Sequence, residues 1–205
     1  IEIQSDFAAA YCNMGRILIN HGKLKEAEES IRKAIQLNPF EAEYYLTLGS
    51  VFWDYIDYEE AKIQILKAIN INPNYSDAHE MLGYLFKNNA NLKEAKKSFR
   101  KAIELKPNCS QTYWNLYGLA KTIEEAEEIL NICLKKDNNN LKARLNLSAI
   151  KLHQGDKSFL SDLKKSKLKN HPFISSLEWV SKLSENPKLF FNQWDLYDNI
   201  AEESN

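Results

Sequence analysis

"EAKKSFRKAIELKP", residues 94–107, is written once thirty-four residues earlier as "EAKIQILKAININP", residues 60–73, and once more as "EAEESIRKAIQLNP", residues 26–39. The recurring frame consists of residue types that substitute poorly for one another. Gly15, Gly49 and Gly83 stand 34 apart, as do Ala27, Ala61 and Ala95, Ala34, Ala68 and Ala102, and Pro39, Pro73 and Pro107. Self-similarity at one fixed period marks a chain of stacked structural units, none of which buries its apolar face alone.

Within a unit, apolar residues fall at helical spacing on two segments, as at Tyr45, Leu48 and Phe52 and then at Ala61, Ile65 and Ala68. Each unit therefore reads as a helical hairpin. Glycine on the first helix and an alanine pair on the second allow the two rods to approach closely. Proline ends the second helix, because the residue before it avoids helical geometry. Asp57, Asn91 and Thr122 each lie three residues ahead of a glutamate (Glu60, Glu94, Glu125), the capping-box spacing that starts a helix. Ser76 and Ser110 are expected to cap first helices.

This pattern resembles the tetratricopeptide repeat family. Unit one, 8–41, supplies Tyr11, Met14, Gly15, Leu18, Ala27, Ile31, Ala34 and Pro39. Unit two, 42–75, matches it with Tyr45, Leu48, Gly49, Phe52, Ala61, Ile65, Ala68 and Pro73. Unit three, 76–109, has His79, Leu82, Gly83, Phe86, Ala95, Phe99, Ala102 and Pro107. A shortened unit, 110–140, keeps Ala126, Leu130 and Cys133 three residues early, with either Tyr117 or Gly118 facing its second helix. A degenerate fifth unit, 141–174, has Ser148 in the glycine place and Leu160 and Lys167 in the alanine places. The resemblance implies an all-α, right-handed α-solenoid of antiparallel helical hairpins over residues 1–174. Residues 175–205, rich in aromatics, are expected to form a C-terminal capping helix pair over the apolar end of the stack.

Composition narrows the function. The 205 residues carry 27% charged side chains and a formal charge of −1, so no global field favours nucleic acid or an anionic membrane. No apolar run reaches the roughly 20 residues a membrane span needs. The start lacks the layout of a secretory signal, and the missing initiator Met allows, without requiring, that the chain is part of something longer. Cys12, Cys109 and Cys133 form neither a disulfide framework nor a metal-like pair, which favours a reducing, cytoplasmic location. His21, His79, His153 and His171 have no ligand-spaced partner, and no catalytic motif is readable. The chain is read as a non-enzyme without cofactor or metal. The lysines of "DLKKSKLKNHP", 162–172, lack interleaved aromatics and are read as a solvated face.

The resemblance also implies that first helices line a concave groove. Carried onto this frame, the partner-binding positions are Arg16 and Asn20; Glu43, Trp53 and Asp54; Asp77, Glu80, Tyr84 and Lys87; and Trp114. Four of these are acidic, which predicts an acidic middle, while Trp53, Tyr84 and Trp114 are aromatic anchors of the kind that hold a bound segment. Relatives that clamp the C-terminal carboxylate of a chaperone use Lys, Asn and Arg where this chain has Cys12, Arg16, Thr47, Asp77 and Met81. An aspartate at that point repels a carboxylate, so this ligand is disfavoured. The expected function is a protein–protein interaction scaffold holding a partner segment. The alternative is the recognition arm of a larger enzyme, such as a transferase. Self-association through the aromatic tail is a third reading.

Overall fold

The computed structural model describes residues 2–107, 110–138 and 140–156, and every regular element among them is helical. They fall into two units. The first, Ile1–Leu119, contains α1 (Glu2–Asn20), α2 (Leu24–Leu37), α3 (Ala42–Asp54), α4 (Tyr58–Ile71), α5 (Ser76–Asn88), α6 (Leu92–Leu105) and α7 (Ser110–Tyr117). The second, Ala120–Asn205, contains α8 (Ile123–Lys136) and α9 (Leu141–His153). The expected capping pair, the second helix of the fifth unit and the lysine stretch 162–172 lie outside the described residues.

In the first unit α1 packs on α2, α3 on α4 and α5 on α6, and each pair continues onto the next through α2–α3, α4–α5 and α6–α7. These are stacked antiparallel helix pairs typical of a tetratricopeptide solenoid. The repeated small residues make the pairing close. Ala27, Ala34, Ala61, Ala68 and Ala95 are fully buried, and so are Ile31, Ile65 and Phe99 opposite the three glycines. A methyl group on Gly49 would stand 2.9 Å from Ile65 Cγ1, and one on Gly83 only 2.6 Å from Phe99 Cε1. Gly118 has no such role, since a Cβ there would meet only the Trp114 and Asn115 carbonyl oxygens. Ser148, in the fifth glycine place, is buried and turns its hydroxyl onto the Arg144 carbonyl at 2.6 Å.

Second helices start as the capping spacing predicts. Asp57 Oδ1 accepts from the Glu60 N–H at 3.1 Å, Asn91 Oδ1 from Glu94 at 3.4 Å and Thr122 Oγ1 from Glu125 at 3.2 Å. Lys23 takes the same place before α2 and makes no such bond. The expectation for Ser76 is corrected. Tyr75 is the N-cap of α5, and Ser76 Oγ instead donates to the Ala102 carbonyl at 3.1 Å, tying the two helices of its hairpin together.

First helices end in a repeated device that the sequence pattern did not announce. Gly22, Ile56 and Ala90, again 34 apart, adopt φ of 71°, 64° and 55°. The next residue's N–H reaches back to the carbonyls of Leu18, Phe52 and Phe86 at 2.9, 2.9 and 2.8 Å, which closes a Schellman-type turn. Left-handed backbone suits glycine and costs other residues about 1–2 kcal/mol. Ile56 is 71% exposed and loses little packing when truncated. Ile56→Gly is therefore expected to raise stability by about 1 kcal/mol, read as a higher urea midpoint with an unchanged slope.

Candidate functional site

Neighbouring first helices in the Ile1–Leu119 unit are joined side by side. From α1 to α3, Cys12 Sγ donates to Thr47 Oγ1 at 3.7 Å, and Arg16 Nη1 donates to Glu43 Oε1 at 3.0 Å. From α3 to α5, Ser50 Oγ approaches Met81 Sδ at 3.7 Å. From α5 to α7, Thr112 Oγ1 donates to Glu80 Oε1 at 2.8 Å and Asn115 Nδ2 to Tyr84 Oη at 2.6 Å. Small and polar residues recur where these helices meet, so α1, α3, α5 and α7 form one continuous wall.

The wall's charges are partly answered from within. Arg16 holds Glu43, Asp77 holds Lys106 at 3.2 Å, and Glu80 accepts from Thr112. The acidic middle expected from sequence is therefore weaker than its count of carboxylates suggests. Arg16 and Glu43 are half exposed, so their pair orders the surface and adds at most about 1 kcal/mol of stability. The chaperone-clamp positions are occupied likewise: Cys12 bonds Thr47, Arg16 bonds Glu43, and Asp77 meets Lys106.

The aromatic candidates are half-buried and each leans edge-on against a neighbour. Trp53 meets Tyr58 at 5.3 Å between ring centres, Tyr84 meets Phe99 at 5.4 Å, and Trp114 meets Tyr117 at 5.7 Å. Asn20 and Asp54 close α1 and α3, Lys87 lies in the last turn of α5, and all three are exposed. Their side chains take part in none of the links that build the wall. Trp53 thus leans on the second helix of its own hairpin, while the Asp54 carboxylate is open to solvent.

Buried titratable groups here serve packing. Desolvation pushes the Cys12 thiol up, the Thr47 hydrogen bond only partly opposing it, so it stays protonated and unreactive. The Tyr75 phenol is pushed up to about 12, first by burial and then by Glu43, Asp77 and Glu41. In the second unit, hydrogen bonds from Lys151 and Gln154 hold the Glu127 carboxyl below its usual value and join α8 to α9. Cys133 is buried and its thiol is raised by desolvation. Among the described residues no group of three His, Cys, Asp or Glu is placed to hold a metal ion. No helix among them is long and apolar enough to cross a membrane.

Family models for the tetratricopeptide repeat match residues 8–40, 42–75 and 76–109. No curated protein matches the chain. Among solved structures, pilF of Pseudomonas aeruginosa is 18% identical, with 77% of this chain aligned to 75% of that one at a TM-score of 0.62. YrrB, described as a TPR protein with an unusual peptide-binding site, is 20% identical over 82% of this chain and 90% of its own, at 0.56. The first TPR of Spaghetti (RPAP3), solved with an HSP90 peptide, is 23% identical over 56% of this chain and 91% of its own, at 0.53. At such identities the likeness is one of fold.

Proposed function

We propose a role in protein binding from one premise: across residues 8–109 the chain belongs to the tetratricopeptide repeat family. Domains of this family bind protein or peptide segments. In this chain the segment is received along the first-helix wall, without catalysis, and Trp53, Asp54 and Lys87 provide its contact edge. The observation supporting this reading is the division of labour along the wall. Its inner polar groups bond one another across neighbouring first helices, while Asn20, Asp54 and Lys87 remain turned to solvent. A preorganised surface binds with less ordering cost than one that must rearrange. Asp54, the carboxylate the wall leaves open, favours a segment carrying Lys or Arg beside an apolar residue.

A pull-down on the whole chain with identification by mass spectrometry supplies the partner, and its affinity is then measured for Asp54→Lys combined with Lys87→Glu. Both positions are exposed, so the fold is expected to stand while affinity falls at least tenfold. Unchanged affinity in a folded variant rules the wall out.

A further inference from the structure

The three hairpins are close enough copies that every outward position has two counterparts to be judged against. On second helices, the place held by Glu29 in α2 and Lys97 in α6 is Ile63 in α4, and the place held by Arg32 and Arg100 is Leu66. On the junction before α3, the place of Asn74 is taken by Phe40. Ile63 is 46% exposed, Leu66 45% and Phe40 83%. Together with Pro39, Tyr45 and Ile71 they line an open groove of about 980 Å3. Stacking does not demand this, because its two sister hairpins fold with charged residues at the same helical places. Contiguous apolar surface that packing does not need marks a contact site.

The charge around the groove selects its occupant. Of the residues that line it only Lys67 is charged, and it sits beside Ile63 and Leu66 on α4. We propose that this outer face of α4 is a docking site separate from the first-helix wall, and that it takes an amphipathic segment of another protein. Two or three large apolar side chains of that segment seat on Phe40, Ile63 and Leu66. An aspartate or glutamate beside them meets Lys67. Apolar contact supplies the affinity and the carboxylates set orientation and encounter rate.

The test uses a random peptide library displayed on phage, selected on the whole chain and counter-selected on Ile63→Glu with Leu66→Arg. That variant writes the first hairpin's own residues into the second, so circular dichroism and the melting curve are expected to match wild type. Clones rich in large apolar residues with Asp or Glu are expected. The best of them, made as a labelled synthetic peptide, should lose at least tenfold in affinity on the variant by fluorescence anisotropy and weaken as salt is raised. Asp54→Lys should bind it as wild type does, which separates this site from the wall. Recovery of no such clones, clones that bind the variant equally, or a basic consensus overturns the proposal. So does sedimentation showing a wild-type dimer that the variant abolishes, since the groove would then be covered by a second copy.

Discussion

Phe99→Ala is expected to lower the unfolding free energy by about 3–5 kcal/mol, a large share of the roughly 5–15 kcal/mol that holds a domain folded. The ring is fully buried and fills the space that Gly83 leaves open between α5 and α6. It also stands edge-on to Tyr84 at 84°, and Tyr84 accepts from Asn115 of α7. Truncation therefore removes transfer free energy, opens a cavity at a junction of three helices, and frees a side chain that links two first helices. Neighbouring backbone held by hairpin turns on both sides has little room to collapse into the void. Urea denaturation followed by circular dichroism measures the loss, and a change below about 1 kcal/mol would show that the site relaxes completely.

Gly83→Ala is the converse experiment, and its sign is informative. In an open helix interior, alanine is better than glycine by about 1 kcal/mol. Here the added methyl would lie 2.6 Å from Phe99 Cε1 and 2.7 Å from Cδ1, and the ring, buried on all sides, cannot swing away as a flexible side chain would. Overpacking of this kind costs about 1–3 kcal/mol, enough to outweigh the propensity gain. A net loss of up to about 2 kcal/mol is expected. Adding Phe99→Leu, which withdraws the ring, should cost less in the Gly83→Ala background than in wild type. The two sites touch, so a coupling of about 0.5–3 kcal/mol is the expected size. A Gly83→Ala protein more stable than wild type, or strictly additive effects, would mean that the close approach does not govern the hairpin.

Much of the fold was legible because it rests on exclusion. Gly83 and Ala95 are the residues that fit where helices nearly touch, and Asp57 and Asn91 are short acceptors that reach an orphan N–H; such constraints act within one residue or one turn. The readings that failed or were missed involve longer reach. Ser76 has the right chemistry for a cap, yet its hydroxyl finds the Ala102 carbonyl across the hairpin, a partner no local pattern identifies. Ile56 and Ala90 hid the turn that Gly22 would have advertised, because the turn's hydrogen bonds, and not glycine, enforce it. For the candidate wall, sequence placed Arg16, Glu43, Glu80 and Tyr84 on first helices. The pairing that removes much of their charge from play required knowing which helices lie side by side. Ile63 and Leu66 are legible as breaks in the repeat, but that they stay exposed depends on which face of α4 the neighbouring helices leave uncovered.

In the Ile1–Leu119 unit each helix rests chiefly on its immediate predecessor and successor. No contact has to wait for distant stretches of polypeptide to find each other, so little loop-closure entropy stands in the way of assembly. Successive hairpins can consolidate against one another as they leave the ribosome, each adding to the face on which the following one condenses. Length along this stack is then an adjustable quantity: a spliced-in copy of residues 42–75 would meet the same faces at both of its ends.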